Sequence, residues 1–258
     1  MPKAVQASNL SKAFNPLTSL PEAISSFFRK KSPFTVVDKV NLEVEEGEIF
    51  CLLGLNGAGK TTLLKMLATL IIPSEGKALV NGFDIVKEDI QVRRSIGLSV
   101  ENERSFYWRL TGRQNLDFFA SLQGLSSKQA RKNIGDISEV LGLSRLLDKR
   151  YAEYSKGTKQ KFSIARSIIH DPAILLFDEP TKSLDVVASK NLWNFVKEKL
   201  TAKKSKTIIF ATHNIAEPVY ADRIGIMHNG KIKIIDKSEY KDATQDLQTA
   251  IGNLFDKL

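Results

Sequence analysis

The 258-residue chain is long enough for one large domain, or for one domain with a subdomain. Its apolar share of 42% and charged share of 26% are those of an ordinary soluble globular protein, and no window approaches the ~18 consecutive apolar residues that a membrane-spanning helix needs. Because Cys51 is the only cysteine, an internal disulfide is excluded, which favours a reducing cytoplasm.

The net charge of +9 would favour nucleotides, anionic lipid surfaces and nucleic acid alike. The lysines are scattered, and the sequence shows no basic stripe with interleaved aromatic residues of the kind that nucleic-acid modules use. We therefore predict a solvated basic surface and no specific nucleic-acid partner.

The first predicted elements are a strand pair and a helix. Residues 35–53 alternate between apolar and polar and then become continuously apolar, which indicates two strands, the second of them buried. After a glycine-rich turn, the pattern of Thr61–Ile72 predicts a helix that stops near Pro73. Lys77–Val80 is predicted as a short strand, followed by a turn at residues 81–82.

The second half of the chain alternates between helices and strands. Residues 103–154 are mostly helical in pattern, and Ser155 is predicted as the N-cap of a helix that ends near residue 170. Strands that alternate with helices predict an α/β core of parallel strands, here with a helical insertion. The later core elements are predicted as strand Ala173–Phe177, helix Val187–Leu200 and strand Thr207–Ala211. The apolar faces of two insertion helices are predicted to contain Leu116, Phe119, Ala120 and Leu122, and Ile134, Ile137, Val140 and Leu141.

Two segments lie outside this pattern. Residues 15–34 contain prolines, serines and the run Phe27-Phe28-Arg29-Lys30-Lys31. Such a run could contact a membrane surface or a partner, but a surface insertion with a short helix is favoured. The lysine-rich tail after Asp236 is predicted to be a final helix without identifiable chemistry.

The strongest motif is a glycine-rich loop between the buried strand and the first helix. The pattern G-x-x-x-x-G-K-[ST] is matched by Gly54, Leu55, Asn56, Gly57, Ala58, Gly59, Lys60 and Thr61. Glycines let successive backbone N–H groups point at phosphate oxygens, and the N-terminus of the following helix adds its dipole. Lys60 would neutralise the β- and γ-phosphates, Thr61 would hold Mg²⁺, and Thr62 would supply another donor.

A second apolar strand ends in two carboxylates, Asp178 and Glu179. In a fold with a phosphate loop this strand lies beside the loop, so Asp178 can reach the Mg²⁺ shell. Glu179 could orient and deprotonate the attacking water, a role typically worth ~10²–10⁴ in rate. Without the phosphate loop, a polar turn at the end of a strand would be the favoured interpretation.

Two further places could contact phosphate. Ser155 and Gly157 lie at a predicted helix N-terminus, which can form a second anion site. One phosphate loop does not need a second anion site in the same chain. Donation of this site to the nucleotide of another protomer would explain its presence, whereas the residues by themselves would indicate only a helix cap. His213 follows the last buried strand, at the sheet edge where ligands gather, and could hydrogen-bond the γ-phosphate.

The order of these motifs resembles that of the ATP-binding cassette (ABC) transporter ATPases over roughly residues 5–236. GLNGAGKT is similar to their Walker A motif, YSKGTKQK to the LSGGQ signature, and ILLFDEP to Walker B. Ser183–Asp185 resembles the D-loop, and Thr212-His213 resembles the H-loop. The signature makes the resemblance specific, because a phosphate loop alone occurs in many unrelated nucleotide-hydrolysing proteins.

The resemblance implies an α/β fold with a P-loop NTPase core, a mostly parallel sheet, an antiparallel β subdomain and an inserted helical subdomain. The nucleotide-binding domain would span residues 1–236, with a helical insertion at about 103–155, an N-terminal insertion at about 15–34, and a tail at 237–258. Integral membrane subunits would bind the helical subdomain.

The resemblance also implies a head-to-tail dimer, with itself or with a paralogous subunit, that encloses two ATP molecules with Mg²⁺. Each ATP would contact Lys60 of one chain and Ser155 and Gly157 of the other, with Asp185 of the D-loop nearby. ATP binding would close the dimer, and hydrolysis at Glu179 would reopen it.

The sequence departs from the family pattern at Glu101, where the family usually has glutamine. A carboxylate could still bind Mg²⁺, although it cannot donate a hydrogen bond as an amide can. We expect Glu101 to keep the role that the glutamine at this position has in the family. The signature carries Lys156 and Thr158 in place of its first glycine and its glutamine. That form, together with RSFYWRLTGRQNL at Arg104–Leu116, resembles the ABC-2-type exporters.

The aromatic residue that stacks on adenine is a third departure, since an insertion obscures the register. The resemblance favours Phe14, with Phe27, Phe28 or Phe34 as alternatives.

These features predict the ATP-hydrolysing subunit of an ABC transporter, with an exporter favoured, at the cytoplasmic face of a membrane. The alternative is a soluble ABC ATPase of a non-transport assembly system, whose motifs would look much the same. An ATPase acting on nucleic acid or ribosomes usually carries two cassettes or a long coiled-coil insertion, and this chain has neither. An inactive nucleotide-binding regulator is disfavoured, because Lys60, Asp178, Glu179 and His213 are all present.

Overall fold

The computed structural model describes residues 2–15, 33–100, 105–201 and 206–236, together with Tyr240. The strands are β1 (Lys3–Phe14), β2 (Phe34–Glu45), β3 (Ile49–Leu53), β4 (Glu75–Val80), β5 (Phe83–Asp84), β6 (Ile96–Ser99), β7 (Ile174–Asp178), β8 (Thr207–Thr212), β9 (Arg223–His228) and β10 (Lys231–Asp236). The helices are α1 (Lys60–Leu67), α2 (Asp89–Ser95), α3 (Gly112–Leu122), α4 (Ser127–Val140), α5 (Lys156–Ile168) and α6 (Val186–Phe195), which continues into a π-helical turn at Val196–Leu200.

The larger sheet has the strand order β10-β9-β3-β8-β7-β6. Neighbouring strands pair in parallel, except β9 and β10. All residues of β3, β7 and β8 are buried, since both faces of these strands are covered, and this explains their continuous apolar sequences. Because the three strands are parallel, their carboxyl ends meet at one edge of the sheet.

Alternate residues of the buried strands contribute to two hydrophobic cores. In β3, Cys51 and Leu53 join the core on the side of helices α3–α6, whereas Phe50 and Leu52 join the core beneath α1 and the second sheet. Successive strand side chains point to opposite faces, so one short strand supplies both cores. Cys51 is completely buried, as expected for a residue of the strand that was predicted to be buried.

The smaller sheet is antiparallel, with the order β2-β1-β4-β5. Asn81 and Gly82 connect β4 to β5 with φ angles of 51° and 81°, as a tight hairpin turn requires. Helices α3 and α4 form the insertion between β6 and α5. The predicted α/β fold, with a mostly parallel core, an antiparallel β subdomain and a helical insertion, is confirmed.

The insertion helices each begin with a capping box, formed by Thr111 with Gln114 and by Ser126 with Gln129. Their inner faces are buried at Leu116, Ala120, Ala130 and Ile134. The prediction was wrong for Leu122 and Val140, which are 68% and 45% exposed. Each is the last residue of its helix.

The prediction of a helix over Thr61–Ile72 was wrong at its end. Helix α1 stops at Leu67, because Thr69 adopts a left-handed φ of 62°. The chain then turns back, and the N–H of Leu70 donates to the Lys65 carbonyl at 2.8 Å. Leu70 is consequently 58% exposed instead of packed in a core.

Helices α5 and α6 begin near the predicted positions, whereas α2 was not predicted. Ser155 is the N-cap of α5, and its hydroxyl accepts a hydrogen bond from the N–H of Thr158 at 3.2 Å. Tyr240 packs into the helical core, and its hydroxyl donates to the carbonyl of Ile215 at 2.5 Å. Within the part of the chain that the structure describes, no helix has the length and apolar content required to cross a membrane.

Candidate functional site

The glycine-rich loop connects the end of β3 to the start of α1. Gly57 and Gly59 have φ angles of 83° and 107°, which side chains other than glycine rarely permit. A Cβ atom on Gly59 would lie 2.5 Å from the carbonyl oxygen of Val36, and one on Gly54 would lie 2.3 Å from that of Met227. Glycine is therefore required both by the backbone conformation and by the close approach of β2 and β9.

The side chain of Lys60 lies across this loop. Lys60 is 6% exposed, and its Nζ donates hydrogen bonds to the carbonyl oxygens of Gly54 (2.7 Å) and Leu55 (3.0 Å). Burial lowers the pKa of Lys60, and the nearby carboxylates of Glu179 and Asp178 oppose that shift. The ammonium group is thus held where the loop curls, next to two carboxylates.

Thr61 and Asp178 meet between α1 and β7. The Thr61 hydroxyl donates to Oδ2 of Asp178 at 2.8 Å, while Oδ1 of Asp178 is buried with no hydrogen-bond partner among the described residues. Burial raises the pKa of Asp178, and the bond from Thr61 and the charge of Lys60 lower it.

This pair fits Mg²⁺, which prefers oxygen ligands and commonly uses one or two carboxylates with water and substrate phosphates. In particular, the unpartnered Oδ1 of Asp178 is an available carboxylate ligand. Residues 2–15, 33–100, 105–201, 206–236 and Tyr240 contain no cluster of three or more His, Cys, Asp or Glu side chains that could hold a metal alone.

Glu179 and His213 form a contact at the carboxyl ends of β7 and β8. Parallel pairing places Asp178 beside Ala211, so Glu179 and His213, which follow β7 and β8, lie at the same edge of the sheet. The N–H of Glu179 donates to the Ala211 carbonyl at 2.9 Å, and Nδ1 of His213 lies 2.7 Å from Oε1 of Glu179. Glu179 has a φ of 52°, a left-handed value that is uncommon outside glycine and is often found at functional sites.

The signature and D-loop residues lie together elsewhere on the chain. A Cβ atom on Gly157 would lie 2.7 Å from the carbonyl oxygen of Ser183, so α5 packs directly against the D-loop. Asp185 is the N-cap of α6, and its Oδ1 accepts from the N–H of Ala188 at 2.8 Å. No hydrogen bond between described residues connects Ser155, Gly157 or Asp185 to the phosphate loop.

The predicted adenine-stacking position contains two aromatic residues. Phe14 and Phe34 pair across β1 and β2, with ring centroids 5.9 Å apart, and Nζ of Lys12 lies 5.1 Å from the Phe14 centroid. Two residues after Phe34, Val36 contacts the phosphate loop through its carbonyl. Glu101, Phe27 and Phe28 lie outside the described residues.

Sequence reasoning did not identify Thr181 and Glu217. The Thr181 hydroxyl donates to Oε1 of Glu217, and both residues are at least nine-tenths buried beside Glu179 and His213. An acidic residue four positions after His213, in a segment that packs on the sheet, was the available signal.

Comparison with protein families places these motifs in a known group. The model described as "ABC transporter" matches residues 37–182, which is more than half of the chain. A second model, described as "AAA domain, putative AbiEii toxin, Type IV TA system", matches residues 150–217.

Several curated proteins are similar to this chain. NatA, an ABC transporter ATP-binding protein of Bacillus subtilis (strain 168), is 39% identical over 84% of the chain and 87% of NatA. The bacitracin transport ATP-binding protein BcrA of Enterococcus faecalis is 39% identical over 77% of the chain and 63% of BcrA. The probable multidrug ABC transporter ATP-binding protein YbhF of Escherichia coli (strain K12) is 37% identical, and the chain spans only 35% of it.

Solved structures show the same fold. An ATP-binding subunit of an ABC transporter matches with a TM-score of 0.79 at 25% identity, over 97% of the chain and 99% of that structure. A dimeric ATP-binding cassette in a post-hydrolysis state, bound to ADP and phosphate, matches with a TM-score of 0.77 at 23% identity, over 90% of the chain and 98% of that structure. The family model, NatA and the shared fold agree: the chain belongs to the ABC transporter family of ATP-binding proteins.

Proposed function

We propose that the chain is the ATP-binding and ATP-hydrolysing subunit of an ABC transporter, and that it powers export through separate membrane subunits. The observation that carries the proposal is the convergence of Lys60, the Thr61–Asp178 pair and the Glu179–His213 pair at one edge of the parallel sheet. The names of NatA, BcrA and YbhF, which are those of transport or transporter ATP-binding proteins, support transport over the soluble assembly alternative. Export is proposed from the signature form with Lys156 and Thr158.

The phosphate loop would bind the triphosphate of ATP through its backbone N–H groups and the N-terminus of α1. In the structure, Nζ of Lys60 bonds to two loop carbonyls. When ATP binds, Nζ would exchange them for phosphate oxygens, which form stronger, charge-assisted hydrogen bonds.

Hydrolysis would then begin at Glu179, whose carboxylate accepts a proton from the attacking water. The water oxygen forms a bond to the γ-phosphorus, the bond to the β–γ bridging oxygen breaks, and ADP and phosphate are the products. The released proton passes from Glu179 to phosphate or to solvent. His213 contacts Oε1 of Glu179, so it would orient the carboxylate and hydrogen-bond the γ-phosphate.

Thr61 and Asp178 are the described residues that would hold Mg²⁺, and Glu101 is proposed as a further ligand. When bound, Mg²⁺ would neutralise charge on the β- and γ-phosphates. Phe14 and Phe34 together are proposed as the surface on which adenine stacks.

Ser155, Gly157 and Asp185 are proposed to face the ATP bound by a second copy or by a paralogous subunit. Ser155 and Asp185 cap the helices that follow them, and the backbone of Gly157 packs against Ser183. No hydrogen bond between described residues joins any of the three to the phosphate loop of their own chain. A cassette of the same fold was solved as a dimer with ADP and phosphate, which is compatible with a dimer of this kind.

A membrane subunit would bind a cleft of about 250 Å³ between the helical insertion and the core. Phe119, Leu122 and Arg166 line it, next to Leu98 at the end of β6. Trp108 is also exposed on the insertion, at 64%. This docking would place the chain at the cytoplasmic face of a membrane as a peripheral subunit.

Two experiments test these proposals. Glu179→Gln in the full chain should bind ATP without hydrolysing it and should accumulate as a dimer in size-exclusion chromatography with light scattering. Turnover at the parent rate would contradict the assignment.

Separately, the tagged chain should co-purify with a multispanning protein from detergent-solubilised membranes, and Leu122→Asp should reduce that recovery without changing ATP affinity. Recovery of a soluble scaffold would support the assembly alternative.

A further inference from the structure

A buried carboxylate, Glu217, lies behind the Glu179–His213 contact. It is 4% exposed and begins the short 3₁₀ turn Glu217–Tyr220, which follows the H-loop. Burying a carboxylate is costly unless hydrogen bonds compensate for the lost water. The contacts of Glu217 therefore indicate why a charged side chain occupies this position.

Glu217 contacts both chain segments that carry the proposed catalytic residues. Its Oε1 accepts from the hydroxyl of Thr181, two residues after Glu179, while its own N–H donates to the Asn214 carbonyl at 3.2 Å. Burial raises the pKa of Glu217, and the hydrogen bond from Thr181 opposes the shift. Oε2 of Glu217 is buried and has no hydrogen-bond partner among the described residues, so the Thr181 hydroxyl is the side-chain donor that the structure gives to this carboxyl group.

The two segments are connected at three levels. Nearest the sheet, the N–H of Glu179 donates to the Ala211 carbonyl at 2.9 Å. At the site, Nδ1 of His213 contacts Oε1 of Glu179 at 2.7 Å. Behind the site, the Thr181–Glu217 hydrogen bond is the third contact between the two segments.

Glu179 needs such support because its left-handed φ of 52° is unfavourable for a residue with a side chain. Backbone conformations of this kind are strained and persist only where surrounding contacts fix them. The turn is also closed by a hydrogen bond from the N–H of Lys182 to the Glu179 carbonyl at 3.3 Å. Besides the Glu179–His213 contact, the Thr181–Glu217 bond is a second side-chain contact that attaches this turn to the H-loop segment.

We propose that Glu217 is a positioning residue for ATP hydrolysis, which holds the Glu179 turn against the H-loop through Thr181 so that Glu179 and His213 stay in contact. The inference rests on the proposed function, since that function assigns Glu179 and His213 to the reaction. No hydrogen bond between described residues joins Glu217 to the phosphate loop, so its removal should affect the chemical step and leave ATP binding intact. A misplacement of about 1 Å near a reacting group can cost ~10²-fold in rate.

Three substitutions in the full chain test the proposal. Glu217→Ala should lower kcat about 10- to 100-fold, with the affinity for ATP changed by less than about two-fold. Glu217→Gln keeps an oxygen that accepts from Thr181 and should restore most of kcat. Thr181→Val removes the donor while keeping the side-chain volume, so it should reproduce most of the Glu217→Ala loss. A normal kcat in both Glu217→Ala and Thr181→Val would overturn the inference.

A double-substitution cycle separates positioning from a general loss of structure. If Glu217 acts through the Glu179–His213 contact, Glu217→Ala should have little further effect on kcat in a His213→Ala chain. An equal loss in both backgrounds, or a parallel loss of ATP affinity, would overturn the inference. Glu179→Gln is measured in the same series. If Glu179→Gln turns over ATP like the parent, the proposed function fails. If Glu179→Gln is inactive and Glu217→Ala is unimpaired, only the inference is overturned.

Discussion

Two regions differ in how many of their contacts are made within one chain. The phosphate-loop region consists of the loop with Asp178, Glu179 and His213, and the signature region consists of Ser155, Gly157 and Asp185. In the first, side chains from separate elements contact each other: Thr61 of α1 bonds to Asp178 of β7, and His213 after β8 contacts Glu179. In the second, Ser155 only caps the helix that follows it. The first region is built by side-chain hydrogen bonds between distant elements, and the second by local helix caps together with the packing of Gly157 against Ser183.

This difference indicates how each region would meet ATP. The phosphate-loop side is preorganised within the chain, because the fold already fixes a buried cation beside two buried carboxylates. The signature side presents a capped helix end that, among the described residues, has no hydrogen bond to its own phosphate loop. We therefore expect substitutions in the first region to abolish ATP binding or chemistry, and substitutions in the second to affect turnover alone.

The largest expected effect is that of Lys60→Ala. It removes charge-assisted hydrogen bonds to phosphate, each worth roughly 1.5–3 kcal/mol, so ATP affinity should fall about 100-fold or more. Isothermal titration calorimetry with ATP measures the change. Lys132→Ala, which removes the same charge from an exposed position on α4, is the control and should bind ATP like the parent. Similar losses in both variants would show that general charge, not the loop, governs binding.

Gly157→Ala should have the next largest effect and should separate the two regions. The new methyl group would lie 2.7 Å from the Ser183 carbonyl oxygen, so the D-loop or the start of α5 must move. Strain of this kind typically costs ~1–3 kcal/mol, and we expect turnover to fall about 10-fold. ATP affinity of the separate chain, measured by calorimetry, should not change. A loss of affinity would contradict the separation of the two regions.

A smaller effect is expected at the aromatic pair. Phe34→Ala removes an exposed ring that lies near the phosphate loop, and stacking of a base on such a ring is worth roughly 1–3 kcal/mol. ATP should bind about 5- to 10-fold more weakly. Inorganic triphosphate, which has no base, should bind as it does to the parent. Equal weakening of both ligands would show that Phe34 supports the loop and does not contact adenine.

Sequence patterns predicted the fold best where local and long-range requirements coincide. β3 and β7 are continuously apolar because both faces are buried, and each is followed by its functional residues, so pattern and motif agreed. The end of α1 was mispredicted because its last turn depends on a left-handed Thr69, which side-chain periodicity does not reveal.

The site was predictable only in part, for a related reason. Lys60 and Asp178 belong to motifs whose spacing is short and local. Glu217 acts across two loops that are 36 residues apart, and no local pattern specifies that pairing. Likewise, only the structure shows that Asp185 caps its own helix, and that Gly157 is explained by packing against Ser183 within the same chain.

The smallest expected effect, that of Gly135→Ala, tests whether contacts at Gly157 are responsible for its sensitivity. Both glycines lie in helices, but a Cβ atom on Gly135 would have no neighbour within 4 Å. Glycine inside a helix is less stable than alanine by roughly 0.5–1 kcal/mol, so this variant should unfold at higher denaturant concentration. Its ATP affinity and turnover should match the parent, because α4 contributes no residue to either region. A loss of turnover as large as that of Gly157→Ala would mean that helix backbone flexibility, and not the Ser183 contact, makes the signature helix sensitive.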